Sequence, residues 1–366
     1  MKAALLHGFT GTWQVDDIDI DQPLGDEVLV EVRASGLCHS DLLTATTDRG
    51  LGLPVLCGHE VAGVVTAVGP AVRTIEVGDH VTTCVAGACE VCALCRSGRP
   101  WLCAARTEMT KVLERPAAMR PRLLAGGRAV TAVAAIGGFA EQVLVPERSM
   151  VGIDPKVPFE VAAILGCAVV TGIGAATNSA RIAPGDTVAV IGCGGVGLNV
   201  IQGARLRGAG RIVAVDLSAG RLTRAVEFGA TDTVNATEGP TLEQLAEIVP
   251  GGVDHAFEVV GASRTLRDAV HMLAPGGSAY VIGAADEPVA LSWITAQELL
   301  GGGKSIVGVY AGSSPFKRDI PRYVDMYRRG IIQLDALISD RIGLEQIASS
   351  YKEHDTNDSA RAVIVF

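Results

Sequence analysis

Four cysteines fall within fifteen residues, Cys89, Cys92, Cys95 and Cys103, in a Cys-x2-Cys-x2-Cys-x7-Cys run. Zn²⁺ takes four thiolates tetrahedrally and has no directional demand of its own, so this spacing can close a metal site on a short lobe. Upstream, Cys38 and the triplet Gly58-His59-Glu60 supply one thiolate and one imidazole, too few groups for a second closed site. A third ligand has to come from further along. Cys167, in Leu165-Gly166-Cys167-Ala168, is a candidate at the junction of two domains. Joined to Cys38 and His59 it would make a Cys2His set with one open position, the arrangement of a catalytic zinc. A plain buried thiol is the competing reading of Cys167, since cysteine is commonly found inside proteins.

A second chemistry-bearing stretch starts near Pro184. The apolar run Thr187-Val188-Ala189-Val190-Ile191 is followed at once by Gly192-Cys193-Gly194-Gly195-Val196-Gly197 and then by a helical pattern through Leu206. In such a strand-turn-helix unit the first glycine permits the tight turn, the second lets backbone approach a pyrophosphate, and the third brings helix close to strand. The phosphates would sit on the helix N-terminus. A further strand, Arg211 to Val215, ends at Asp216, 19 residues beyond Gly197. Its carboxylate is placed for the adenine-side ribose hydroxyls and would repel a 2′-phosphate, so NAD is expected rather than NADP. Arg221 is counted with the cofactor-binding residues.

Two domains must position these groups, because 366 residues exceed one ordinary core. A hydrophobic share of 48%, 44 glycines and 19% charged residues describe a tightly turned globular chain. The net charge of −9, without a basic block, argues against nucleic acid as a partner. Nine cysteines with four at metal spacing, and no signal-peptide pattern after Met1, point to a reducing cytoplasm. The weakly polar run Val161 to Ala176 falls short of the ~20 residues that span a bilayer, and a buried helix with no membrane role is expected. Val28 to Arg33, alternating apolar and polar, predicts a half-buried strand. Val61 to Val68 and His80 to Val85 look similar, so the first half reads as a barrel-like, strand-rich lobe. The later half alternates strand and helix through Val253 to Val260, Leu266 to Leu273, an Ala274-Pro275-Gly276-Gly277 turn, Ser278 to Gly283 and Ser305 to Tyr310. That rhythm predicts a doubly wound parallel sheet.

Together these residues resemble the zinc-dependent medium-chain alcohol dehydrogenases. The resemblance rests on Gly36-Leu37-Cys38-His39-Ser40-Asp41, on Gly58-His59-Glu60-x2-Gly63-x5-Gly69-x2-Val72, on the four-cysteine lobe, Cys167, the glycine motif and Arg361. It is strongest to the class III, glutathione-dependent formaldehyde dehydrogenase branch and its aryl-alcohol relatives. It implies an α/β chain with a strand-rich, GroES-like catalytic domain over 1–168 and 311–366, and a Rossmann NAD domain over 169–310. A homodimer or higher homo-oligomer is implied, most simply through the NAD domains. By the same resemblance Cys38, His59 and Cys167 would hold a catalytic zinc, with Glu60 beneath it, and Cys89, Cys92, Cys95 and Cys103 a structural one. Asp41 would orient His59, and Ser40 would take the proton of the alcohol. His39 and Arg361 would contact the cofactor pyrophosphate, while Thr171 and Val196 would back the nicotinamide. The implied reaction is hydride transfer between NAD and an alcohol/aldehyde pair.

Departures from the family pattern bear on the substrate. Leu43 stands where many members carry a relay histidine, so proton release must run by water, the cofactor ribose or another histidine. The glutathione-specific branch places an acidic residue where this chain has Arg49, and an arginine where it has Thr107; Asp48 and Arg106 stand one position off. Val85 replaces a side chain that is often aromatic. A primary alcohol, aromatic or medium-chain, is therefore expected ahead of a thiol–formaldehyde adduct, with a non-catalytic NAD-binding protein as the reading of another class. Cys57, Cys84 and Cys193 read as buried thiols, Trp101 as packing on the metal lobe, and Gly301-Gly302-Gly303-Lys304 as a turn. His7, His80, His255, His271 and His354 have no partner visible in the sequence.

Overall fold

The computed structural model describes residues 1–105, 115, 119–285, 289–356 and 360–366, with 354–356 as backbone only. Two compact units emerge, Met1–Cys167 with Pro315–Phe366, and Ala168–Ser314.

In the first unit the main sheet runs, edge to edge, Met150–Gly152, His80–Thr83, Glu60–Val68, Glu27–Gly36, Arg361–Val365 and Ile338–Ile342, with Gln142–Pro146 also paired to Glu27–Gly36. The last two strands come from the chain's end, so the C-terminus completes one edge of this sheet. A smaller sheet joins Thr131–Ala132, Val55–Leu56, Lys2–Leu6 and Gln14–Asp17. The strand expected at Val28 to Arg33 forms within Glu27–Gly36, and its alternation holds from Val30 on, where Val30 and Val32 are buried, Glu31 is half-buried and Arg33 is exposed; Leu29 departs from it by being buried as well. The helix Phe159–Ile164 packs on this strand and on Glu60–Val68.

The second unit carries a six-stranded parallel sheet in the order Asp232–Asn235, Arg211–Asp216, Thr187–Ile191, Val253–Glu258, Leu273–Val281, Ser305–Gly308. Strand order reverses beside Thr187–Ile191, the topological switch point where a doubly wound sheet leaves a crevice at its carboxyl ends. Its interior is packed by Val213, Val215, Val253, Ala256, Val270 and Leu273 among others. The Ala274-Pro275-Gly276-Gly277 turn is instead part of the extended Leu273–Val281 strand, where the pairing register with Val253–Glu258 breaks. The triple-glycine cluster closes the helix Ala296–Gly302, with Gly303 as its left-handed cap, the conformation glycine adopts at least cost.

The apolar run before the glycine loop is longer than the sequence suggested. Helical turns continue from Phe159 to Ser179, 21 residues, long and apolar enough to cross a membrane by length and composition alone, yet most of the run is buried inside protein. Its backbone relaxes into a π-type turn over Leu165–Val169, the turn that carries Cys167. Such turns recur at functional sites.

Candidate active site

Cys38, His59, Glu60 and Cys167 converge inside the first unit, each offering a donor atom within 4.8 Å of the others. Cys38 is the residue before the helix His39–Thr46, and His59 and Glu60 sit where the strand Glu60–Val68 begins. Cys167 arrives from the helical run. Gly166 makes that arrival feasible, since a Cβ there would fall inside the van der Waals envelope of the Thr83 carbonyl oxygen. The two sulfurs stand 4.0 Å apart and His59 Nε2 lies 3.3 Å from the Cys167 sulfur. Two thiolates on one tetrahedral zinc are separated by about 3.8 Å, so the donor set fits with little movement.

His59 Nδ1 faces Asp41 Oδ1 at 3.3 Å, and the Gly58 N–H donates to that same oxygen at 2.9 Å. Asp41 thus fixes the ring and leaves Nε2 for a metal. Thr83 adds a contact the sequence gave no sign of: its hydroxyl donates to the His59 carbonyl at 2.9 Å and accepts from the Val61 N–H at 3.1 Å. The Ser40 hydroxyl donates to the Cys38 sulfur at 3.2 Å.

Electrostatics within the cluster are strongly perturbed. The contact from Cys167, and His59 beside it, hold the Cys38 thiol well below its ordinary range against the effect of burial. The Cys38 thiolate, with burial, pushes Cys167 up. Burial alone would lower His59, but the Asp41 charge and hydrogen bond outweigh it and raise it. Burial pushes the Glu60 carboxyl up to about 7 despite Arg361 beside it. Both Glu60 oxygens are buried without a hydrogen-bond partner among the described residues. Arg361 Nη1 lies 3.4 Å from one of them and donates to the Leu37 carbonyl at 2.7 Å. Two thiols, an imidazole and an orphaned buried carboxylate form a set that a divalent cation satisfies.

The lobe cysteines also converge, with all four sulfurs within 4.8 Å of one another. Cys92 is held down to about 6 by the Cys95 N–H and thiol, and burial with the neighbouring thiols pushes Cys95 up to about 12. Soft donors at tetrahedral spacing fit zinc there as well. Trp101 lies in the short helical turn Pro100–Leu102 of this lobe. Cys57, Cys84 and Cys193 are buried thiols outside both clusters, and burial pushes Cys84 up to about 12.

In the second unit the glycine loop sits at the carboxyl end of Thr187–Ile191. Gly192 has φ +97, and a Cβ on Gly197 would collide with the Gly192 carbonyl, so strand and helix Gly195–Leu206 meet only through glycine. Asp216 Oδ2 accepts from the Cys193 N–H at 2.7 Å, and Oδ1 from the N–H groups of Leu217 and Ser218 at 2.8 and 3.0 Å. The carboxylate therefore closes the loop. Ser218 caps the helix Ala219–Glu227 by accepting from the Arg221 N–H. Gly194, Gly195 and Val196 form the helix entry, with Thr171 on the neighbouring helical segment Val170–Gly174.

The histidines do have partners. His7 pairs with Asp16 at 2.7 Å, and His80 stacks on Phe159. His255 lies between Asp186 at 3.1 Å and the Tyr280 hydroxyl at 3.2 Å, and His271 meets the edge of Trp293. None joins either metal cluster. His39 is exposed at the helix start. Asp48 is exposed and accepts from the Gly50 N–H at 2.8 Å. Arg106, Thr107 and the His354 side chain lie outside the described residues.

Family profiles match in two blocks, an alcohol dehydrogenase GroES-like domain over residues 25–156 and a zinc-binding dehydrogenase over residues 195–329. The chain is similar to the S-(hydroxymethyl)glutathione dehydrogenase of Synechocystis sp., 35% identical over 96% of this chain and 95% of the relative. It is likewise similar to the NDMA-dependent alcohol dehydrogenase of Amycolatopsis methanolica, 32% identical over 100% and 98%. Among solved structures, the benzyl alcohol dehydrogenase of Acinetobacter calcoaceticus superposes with a TM-score of 0.92 at 31% identity, covering 100% of this chain and 99% of that one.

Proposed function

The chain belongs to the zinc-dependent medium-chain alcohol dehydrogenases, and from that premise we propose that it interconverts an aromatic or medium-chain primary alcohol and its aldehyde, using NAD. The observation that carries this reading is the convergence of Cys38, His59 and Cys167, with the Ser40 hydroxyl against the first sulfur. Cys38, His59 and Cys167 would hold the catalytic zinc, and Cys89, Cys92, Cys95 and Cys103 the structural one. Bound zinc supplies a Lewis acid that acidifies an alcohol and polarises a carbonyl.

The chain's own residues do the rest. Asp41 keeps His59 in the orientation that leaves Nε2 for the metal. Ser40 Oγ takes the alcohol's proton, and its backbone is steadied by the Thr44 hydroxyl donating to the Ser40 carbonyl at 2.9 Å. Leu43 is buried and apolar, so the proton leaves Ser40 by water, the cofactor ribose or the neighbouring His39. The loop Gly192 to Gly197 takes the pyrophosphate, with Arg221, His39 and Arg361, and Asp216 reads the ribose. Thr171 and Val196 would back the nicotinamide, leaving one ring face toward the substrate.

Substrate size is argued from Val85, small where relatives are often aromatic, and from Arg49, a cation where an adduct's ammonium would need an anion. A solved relative at 31% identity is a benzyl alcohol dehydrogenase. A second reading, oxidation of a thiol–formaldehyde adduct, draws on the relative named S-(hydroxymethyl)glutathione dehydrogenase and on exposed Asp48. The two are separated by NADH formation from ethanol, hexanol, benzyl alcohol, and formaldehyde with or without glutathione. Turnover of benzyl alcohol or hexanol without thiol is expected. Turnover of formaldehyde with thiol alone would overturn the substrate assignment.

A homodimer through the NAD units accompanies this reading. Among the described residues no strand pairs with the outer edge of Ser305–Gly308, and Leu300 on the preceding helix is 84% exposed; open edges of this kind invite a second copy. Light scattering should give the mass of two chains or a multiple. Nine free cysteines suit a reducing, cytoplasmic setting.

A further inference from the structure

The backbone at Leu37 and Cys38 is tied to the C-terminal segment at three atoms. The Leu37 N–H donates to the Ala362 carbonyl at 3.0 Å, and the Leu37 carbonyl accepts from Arg361 Nη1 at 2.7 Å. The Cys38 carbonyl accepts from the Tyr351 hydroxyl at 2.9 Å. Strand pairing accounts for the first tie and the Glu60 counterion for the second. The third comes from a different element, the helix Ile347–Thr356, and belongs to no ladder.

Tyr351 is built for one direction only. It is 6% exposed, and its ring is stacked on Trp13 with centroids 5.2 Å apart and planes at 18°. The phenol's single polar atom is spent on the Cys38 carbonyl, the partner a buried tyrosine needs. That carbonyl also accepts the Asp41 N–H at 3.0 Å, the bond that opens the helix His39–Thr46. Cys38 itself is extended, with φ −115 and ψ 145. The Cys38–His39 peptide plane therefore sets how the first thiolate is placed against Ser40 and Asp41, which lie on the first helical turn.

Resting on the zinc reading of the Cys38, His59 and Cys167 site, we propose that Tyr351 is a positioning residue for that centre: its hydroxyl, steadied by Trp13, fixes the peptide plane from which Cys38, Ser40 and Asp41 all take their orientation. A phenylalanine would keep the ring and the stack and lose only this function.

The test compares wild-type holoenzyme with Tyr351→Phe and Trp13→Ala. Each is measured for zinc per chain, the rate of zinc transfer to a competing chelator, and the visible spectrum after cobalt exchange at the catalytic site. Tyr351→Phe should unfold close to the wild-type temperature and hold two zinc ions. It should release the more labile ion roughly two- to tenfold faster, the size of one lost hydrogen bond, with a shifted cobalt spectrum and unchanged NADH affinity. Trp13→Ala, which keeps the hydroxyl but frees the ring, should change release in the same direction and also lower the unfolding temperature. Wild-type release and a superimposable cobalt spectrum in Tyr351→Phe would overturn the proposal, leaving Tyr351 a packing residue. A wild-type protein holding a single zinc, lost on changing Cys89 but not Cys38, would instead refute the zinc reading beneath it.

Discussion

Cys38, Cys167 and Glu60 bring three acidic groups together beside two cations, His59 and Arg361. A divalent ion bound by the thiolates and imidazole relieves that imbalance, so each ligand's removal has a defined consequence. Cys38→Ala should remove about one of the two zinc ions per chain and nearly all turnover, while NADH titration by fluorescence stays unchanged; retained activity would mean the site is misassigned. Asp41→Asn keeps an oxygen for the Gly58 N–H but removes the charge facing His59. Zinc affinity should fall about 10- to 100-fold, the usual effect of losing such support, as read by chelator competition. Ser40→Ala should lower kcat by about 10²-fold or more with little change in zinc content, since a positioned proton acceptor contributes on that scale.

The helical run that delivers Cys167 and the loop that closes on Asp216 each depend on what their element can approach. Gly166 packs its backbone directly on the Thr83 carbonyl. Gly166→Ala should push the π-type turn off the strand His80–Thr83, costing about 3 kcal/mol by overpacking and lowering catalytic zinc retention along with the unfolding temperature. A variant as stable and as zinc-replete as wild type would show that the turn has slack to yield. At the end of the strand Arg211–Asp216, the carboxylate accepts three backbone N–H groups and is the group proposed to read the ribose. Asp216→Gly should shift the ratio of kcat/KM values from NAD toward NADP. An unchanged ratio would assign ribose discrimination to another group.

For the whole molecule, acid is the condition that should expose how the first unit is held. Arg115 is buried, with Nη1 on Asp21, Nη2 and Nε on Glu27, and Nη2 on the Gln22 carbonyl as well; Arg122 adds a second cation to Glu27 at 2.6 Å. Burial alone would raise the Glu27 carboxyl, but these guanidinium bonds and the Leu24 N–H outweigh it and hold it below its ordinary range. A carboxylate whose folded pKa is depressed contributes stability above its unfolded value, about 4.3, and loses it as pH falls through the folded value. Arg115→Leu should therefore cost about 3 kcal/mol near pH 7, as a broken buried pair does. The gap to wild type should narrow below about pH 4. Urea unfolding at pH 7 and pH 3 measures both, and a gap that widens in acid would refute the assignment. Nothing in the sequence singled out this network, because Arg115 lies 88 residues from Glu27.

By itself the sequence determined whatever depends on short spacing. Cys89, Cys92, Cys95 and Cys103 lie within one lobe, and Gly192 to Gly197 with Asp216 lie within one strand-turn-helix-strand unit, so their geometry follows almost directly from the local backbone. The succession of strands and helices in the second unit was legible for the same reason. The tertiary structure alone decided which distant groups meet. Cys167 lies 129 residues from Cys38, and nothing local distinguishes it from the buried thiols Cys57 and Cys84; it stands beside Cys38 and His59 because its π-type turn packs, through Gly166, on the Thr83 carbonyl of the strand His80–Thr83. The C-terminal chain completes one edge of the first sheet, pairing Arg361–Val365 with Glu27–Gly36, which brings Arg361 to Glu60 and Tyr351 to the Cys38 carbonyl. These outcomes depend on close packing between elements far apart in the chain, and residue type carries no record of which neighbour that packing selects.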